Sequence, residues 1–123
     1  MKNGISTALD NYYNKQEVAT KECLLALKSI ILSLDNDILH TRKYQIPFFC
    51  FNEFNLGFLW VHKKKILIGF VEDKKVLSTS SKGRKKDNVW TMSINPLEDI
   101  PIDVIKFNLS ELIKTYKAQE NKI

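Results

Sequence analysis

Residues Phe48 to Val71 read FFCFNEFNLGFLWVHKKKILIGFV. Three apolar runs, Phe48–Phe51, Leu56–His62 and Ile66–Val71, are separated by the polar stretches Asn52–Asn55 and Lys63–Lys65. The runs are short and rich in aromatic and β-branched side chains, which predicts an antiparallel meander. Alternation sets Phe58 and Trp60 against Leu59 and Val61, and Ile66, Ile68 and Phe70 against Leu67 and Val71. Both faces of this layer are therefore apolar. Antiparallel sheets ordinarily wet one face, so the second face needs a cover: another element, a partner chain or a ligand.

Working outward, the period changes from two to three and four. From Glu17 to Leu34, Leu24, Leu27, Ile31 and Leu34 stack on one helical face, widened by Cys23, Ala26 and Ile30. Asp35-Asn36-Asp37 ends that helix with turn-favouring residues. Leu9, Tyr12 and Tyr13 suit a short helix before it, with Asp10 near its start. Ile38 to Gln45 reads as an extended segment with His40, Arg42 and Tyr44 on one face and Lys43 on the other, until Pro47 interrupts. Downstream, residues 72–88 read as loop with one short helical turn around Lys74 to Ser78, and Val89–Ile94 as a further strand. Pro101 opens a last helix, with Asp99 and Asp103 beside the positive end of its dipole and a buried stripe of Ile102, Ile105, Leu109, Leu112, Ile113 and Tyr116. The fold class expected is α+β: an antiparallel sheet of four to five strands with N-terminal and C-terminal helices packed on it.

The 123 residues (14.3 kDa) suit a single domain over 1–123. No apolar run approaches the roughly 20 residues that span a bilayer, and the polar N-terminal stretch has no secretory h-region. Cys23 and Cys50 then read as reduced thiols of a cytoplasmic protein. Isolated glycines at 4, 57, 69 and 83 exclude a P-loop or a dinucleotide-binding glycine turn. No nucleophile elbow surrounds a serine, and the two cysteines and two histidines lack zinc-finger spacing. The carboxylates at Asp35/Asp37, Glu72/Asp73 and Glu98/Asp99 with Asp103 fall where turns and helix caps use them. No catalytic residue and no metal ligand is assigned, and the expectation leans away from an enzyme.

Charge is unevenly spread. Nine cations against two anions lie between Lys63 and Lys86, so this segment carries +7 of a net +5 and the rest of the chain is acidic. Lys82, Arg84, Lys85 and Lys86 are the candidates for a polyanion, nucleic acid included, although lysine-rich turns also keep sheet edges from associating. The more ligand-like constellation is His40, Arg42, Lys43, Tyr44 and Trp60. An aromatic surface interleaved with cations can stack a planar or anionic group; the competing account makes Tyr44 and Trp60 core aromatics with a polar rim.

Arg42-Lys43-Tyr44-Gln45-Ile46-Pro47-Phe48-Phe49, followed by a hairpin and Ile68-Gly69-Phe70-Val71, resembles the YdhG-like family of small bacterial domains (domain of unknown function 1801). Ile94-Asn95-Pro96, leading through Asp99-Ile100-Pro101 into the last helix, extends the resemblance over roughly Leu9 to Tyr116. Gln45 stands where that family usually has glycine. The resemblance implies an α+β domain with a curved antiparallel sheet and brings no catalytic residues. Some members are described as frataxin-like iron chaperones, which implies intracellular iron delivery as an alternative. The leading expectation is a non-enzymatic, cofactor-free binding domain whose second sheet face accepts a small ligand or a protein partner, a second copy among them.

Overall fold

The computed structural model describes residues 7–76 and 86–120. Three helices, α1 (Ala8–Asn14), α2 (Val18–Leu32) and α3 (Ile102–Glu120), accompany five strands, β1 (Ile38–Lys43), β2 (Ile46–Phe51), β3 (Phe54–His62), β4 (Lys65–Glu72) and β5 (Asn88–Ile94). The strands form one sheet in the order β1-β2-β3-β4-β5, every neighbour antiparallel. The α+β class and the meander are as the sequence leads one to expect.

The extended segment from Ile38 does not run on through Gln45. It folds back in a two-residue turn, with Tyr44 and Gln45 both left-handed at φ 55° and 66°, and Lys43 pairs with Ile46. The β3–β4 connection repeats the device with Lys63 and Lys64 at φ 51° and 66°. Two consecutive left-handed residues match the twist of a hairpin, and Asn-Gly is the usual pair there. Neither turn carries that pair; the β3–β4 turn is read from its three lysines, whereas the β1–β2 turn does not announce itself in the sequence.

Pairing sorts the side chains. Phe49, Phe51, Leu59, Ile66, Ile68, Phe70 and Ile94 lie on the face that meets Leu24, Leu27, Ile31, Ile105, Leu109, Leu112, Ile113 and Tyr116 of the helices, and all are buried in one core. Removing such side chains from water supplies most of the driving force for this layer packing. Ile102, expected in the α3 stripe, is the first residue of the helix and is 42% exposed. Ala26, expected to widen the α2 stripe, is exposed as well.

A β-bulge lies between β2 and β3. Phe49 pairs with Gly57 and Cys50 with Asn55, leaving Leu56 without a partner. Leu56 is buried in the helix-side core. The Tyr116 hydroxyl closes the distortion: it lies 2.6 Å from the carbonyl oxygens of both Asn55 and Val71 and accepts the N–H of Asp73 at 2.9 Å. Burial pushes this phenol well above the ordinary tyrosine range, so it remains a donor. Asp73, itself buried, accepts the backbone N–H groups of Asn55 and Lys75. The Glu72/Asp73 pair thus serves a turn, and the chain beyond it turns at Lys74–Val76 with Val76 N–H donating to the Asp73 carbonyl. Residues 77 and 78 of the expected helical turn lie outside the described residues.

Candidate functional site

All three described helices pack on one side of the sheet, and among the described residues the other side carries no helix. The register places Leu39, Thr41 and Lys43 of β1, Ile46, Phe48 and Cys50 of β2, and Phe58, Trp60 and His62 of β3 on that side. Leu67, Gly69 and Val71 of β4 and Val89, Thr91 and Ser93 of β5 complete it. Phe48, Cys50, Val71 and Phe58 form their own small apolar cluster there, separate from the main core.

Gly69 explains how an aromatic ring lies flat in this cluster. Phe58 stands opposite Gly69 in the ladder, and a β-carbon added at position 69 would come within 2.2–2.6 Å of the Phe58 ring. The missing side chain is the space the ring occupies. From Phe58 the aromatic run continues to Phe48, stacked at 5.9 Å, and from Phe48 to Tyr44, edge-on at 5.9 Å. The Lys43 ammonium sits 5.2 Å above the Phe48 ring and donates to the Asn55 side-chain oxygen at 2.7 Å. Asn55 also donates to the Asp87 carboxylate at 3.0 Å. Trp60, two residues beyond Phe58 on the same face, is 41% exposed and rests against His62 at 5.0 Å.

The five ligand candidates therefore divide, and not as alternation suggests. Lys43, Tyr44 and Trp60 share the helix-free face. His40 and Arg42 lie on the helix side of β1, opposite Phe49 and Pro47. The expected grouping of His40, Arg42 and Tyr44, with Lys43 apart, is corrected by the turn: Tyr44 is not a strand residue, and its left-handed backbone swings the ring onto Phe48. Tyr44 is also 80% exposed, which excludes a core role.

His40 has a structural occupation. Its Nε2 lies 2.8 Å from the Tyr13 hydroxyl, and its ring packs 4.6 Å from Phe49. Burial, reinforced by the positive charge of Lys28, lowers its pKa to about 4 against a partial counter-effect from Asp10. The imidazole is neutral at pH 7, and its tautomer sets which of the two groups donates.

Of the polyanion candidates, Lys82, Arg84 and Lys85 lie outside the described residues, and Lys86 is exposed. Among the described residues no three His, Cys, Asp or Glu side chains gather as a metal-binding group. Cys23 belongs to the helix-side core and Cys50 to the opposite face, and burial raises the Cys23 thiol pKa. No described helix is long and apolar enough to cross a membrane. Phe48, Phe58 and Asn55 form the surroundings of the Tyr44 and Lys43 side chains on this face and were not among the ligand candidates read from the sequence. The Phe58–Gly69 cross-strand pair was the available clue, since glycine inside a strand marks close approach of another group.

No protein-family model, curated protein or solved structure matches the chain.

Proposed function

We propose that this chain is a non-enzymatic interaction domain that docks a protein partner on the helix-free face of its sheet. The observation that carries the reading is one-sided packing. Every described helix covers the same face, while the other presents exposed Tyr44, Lys43 and Trp60 around a buried Phe48 and a half-buried Phe58. Trp and Tyr beside a cation are the residues in which interface energy concentrates. The described cavities open at the start of α2, between α1 and α2, and beside Phe54 and Glu120. Exposed Tyr44 and Trp60 flanking a buried Phe48 fit a macromolecular surface better than a small ligand.

A photo-crosslinking residue placed at Tyr44 tests the reading in cells. A discrete adduct is expected from position 44, abolished by Trp60→Ala, and none from Lys114 on the exposed side of α3. Adducts of equal yield from both positions, or none from position 44, would end this account. The mass of the adduct tells a second copy of the chain from a different protein.

A further inference from the structure

A cavity of about 270 Å³ lies at the start of α2, where Ala19 and Thr20 meet the β3–β4 turn and the segment after β5. That is several times the roughly 30 Å³ share of one water in the liquid. The helix end facing it is uncapped. Glu17 occupies the N-cap position but makes no side-chain cap hydrogen bond, and the first intrahelical bond is Lys21 N–H to the Glu17 carbonyl. The N–H groups of Val18, Ala19 and Thr20 accordingly have no acceptor among the described residues, and the helix dipole adds positive potential at this end.

Thr20 supplies an independent observation. It is only 6% exposed, it lines the cavity, and its hydroxyl has no hydrogen-bond partner among the described residues. Buried hydroxyls without a partner are costly, and a ligand oxyanion in the cavity would relieve that cost. Lys63, Lys64 and Lys65 line the opposite wall, and none of them makes an ion pair among the described residues. Asn95 also lines it; its side-chain oxygen accepts Leu97 N–H at 2.9 Å, which leaves the amide N–H groups to donate. Glu17 is the anionic residue of the described lining; the register turns Lys65 to the helix-free side with His62, so Lys63 and Lys64 against one carboxylate leave this wall with a charge of +1.

We propose that this cavity binds the phosphoryl group of a small phosphate monoester. The net positive wall attracts a phosphate dianion. Helix amides and the Thr20 hydroxyl supply directed donors, and Pro96 and Leu97 offer an apolar rest for the group that carries the phosphate. This site is distinct from the helix-free face and does not depend on it.

The test is titration of the ¹⁵N-labelled full chain with inorganic phosphate, glycerol phosphate and a nucleoside monophosphate, each matched in ionic strength by sodium chloride. Saturable shifts at Ala19, Thr20 and Lys63–Lys65 are expected with the monoesters, more weakly with inorganic phosphate, and not with chloride. Thr20→Val should weaken monoester binding about tenfold, while Thr20→Ser keeps it, as loss of a hydrogen bond to a charged group predicts. Should Thr20→Val fail to fold, the Lys63→Gln/Lys64→Gln variant carries the same expectation of weakened binding. Shifts that chloride reproduces, wild-type affinity in a folded Thr20→Val or in the lysine variant, or inorganic phosphate binding tighter than either monoester would overturn the proposal. So would a single-stranded oligonucleotide binding these same amides as tightly, because its phosphodiesters carry one charge each.

Discussion

His40 turns its burial into a pH dependence. In the unfolded chain it takes up a proton near pH 6.5, and in the folded chain only near pH 4. Between those values the unfolded state binds more protons, so stability is complete above about pH 6.5 and falls as pH drops towards 4. The loss amounts to up to about 3 kcal/mol, because each pKa unit is worth about 1.4 kcal/mol. Urea titrations across that range should show the slope in the wild type. It should be absent in His40→Gln, which keeps a hydrogen-bond partner for Tyr13; an equal slope in the variant would assign the effect to another group. The Tyr116 hydroxyl contributes at the same scale. Tyr116→Phe keeps the stacked ring but removes the partner of buried backbone groups at Asn55, Val71 and Asp73. Unfolding experiments should show a loss of about 1–3 kcal/mol, the cost of leaving such groups unsatisfied.

The β1–β2 hairpin is where sequence reading and structure part. Elements were legible from their hydrophobic periods: the stripes of α2 and α3 predict the faces that pack, and the short apolar runs of β3, β4 and β5 predict strands. A left-handed pair at Tyr44 and Gln45 has no such signature, since neither residue favours that backbone. Missing the turn kept Tyr44 in the strand and grouped it with His40 and Arg42. Turn chemistry also yields a prediction. Gln45→Gly relieves a positive φ of 66°. The variant should be about 0.5–1 kcal/mol more stable in thermal unfolding, the release of left-handed strain outweighing the added freedom of the unfolded chain. The opposite sign holds at the bulge. A β-carbon on Gly57 would lie 2.6 Å from the Gly69 carbonyl oxygen, a backbone atom with no rotamer to yield. Gly57→Ala should cost about 1–3 kcal/mol as overpacking and spread the β3–β4 ladder.

Across the whole molecule, the layering was readable and the site only in part. An apolar second face in the meander pointed to a surface left over after the helices had packed, and the structure has all three helices on one side. The partition of candidates across the two faces could not be read, because a single turn decides it. Nor could the cavity at the start of α2, which brings together segments more than 40 residues apart in the chain.

The Tyr116 hydroxyl and the Asn55 carbonyl it reaches are 61 residues apart. A ribosome working at about 5–20 residues per second therefore delivers the bulged hairpin several seconds before the phenol that fastens it. During that interval the nascent hairpin has kinked backbone with nothing to stitch it, and the sheet lacks the helix that will roof much of its greasy side. Codon choice or chaperone occupancy between those two points would then govern how much of the newly made protein reaches its final form.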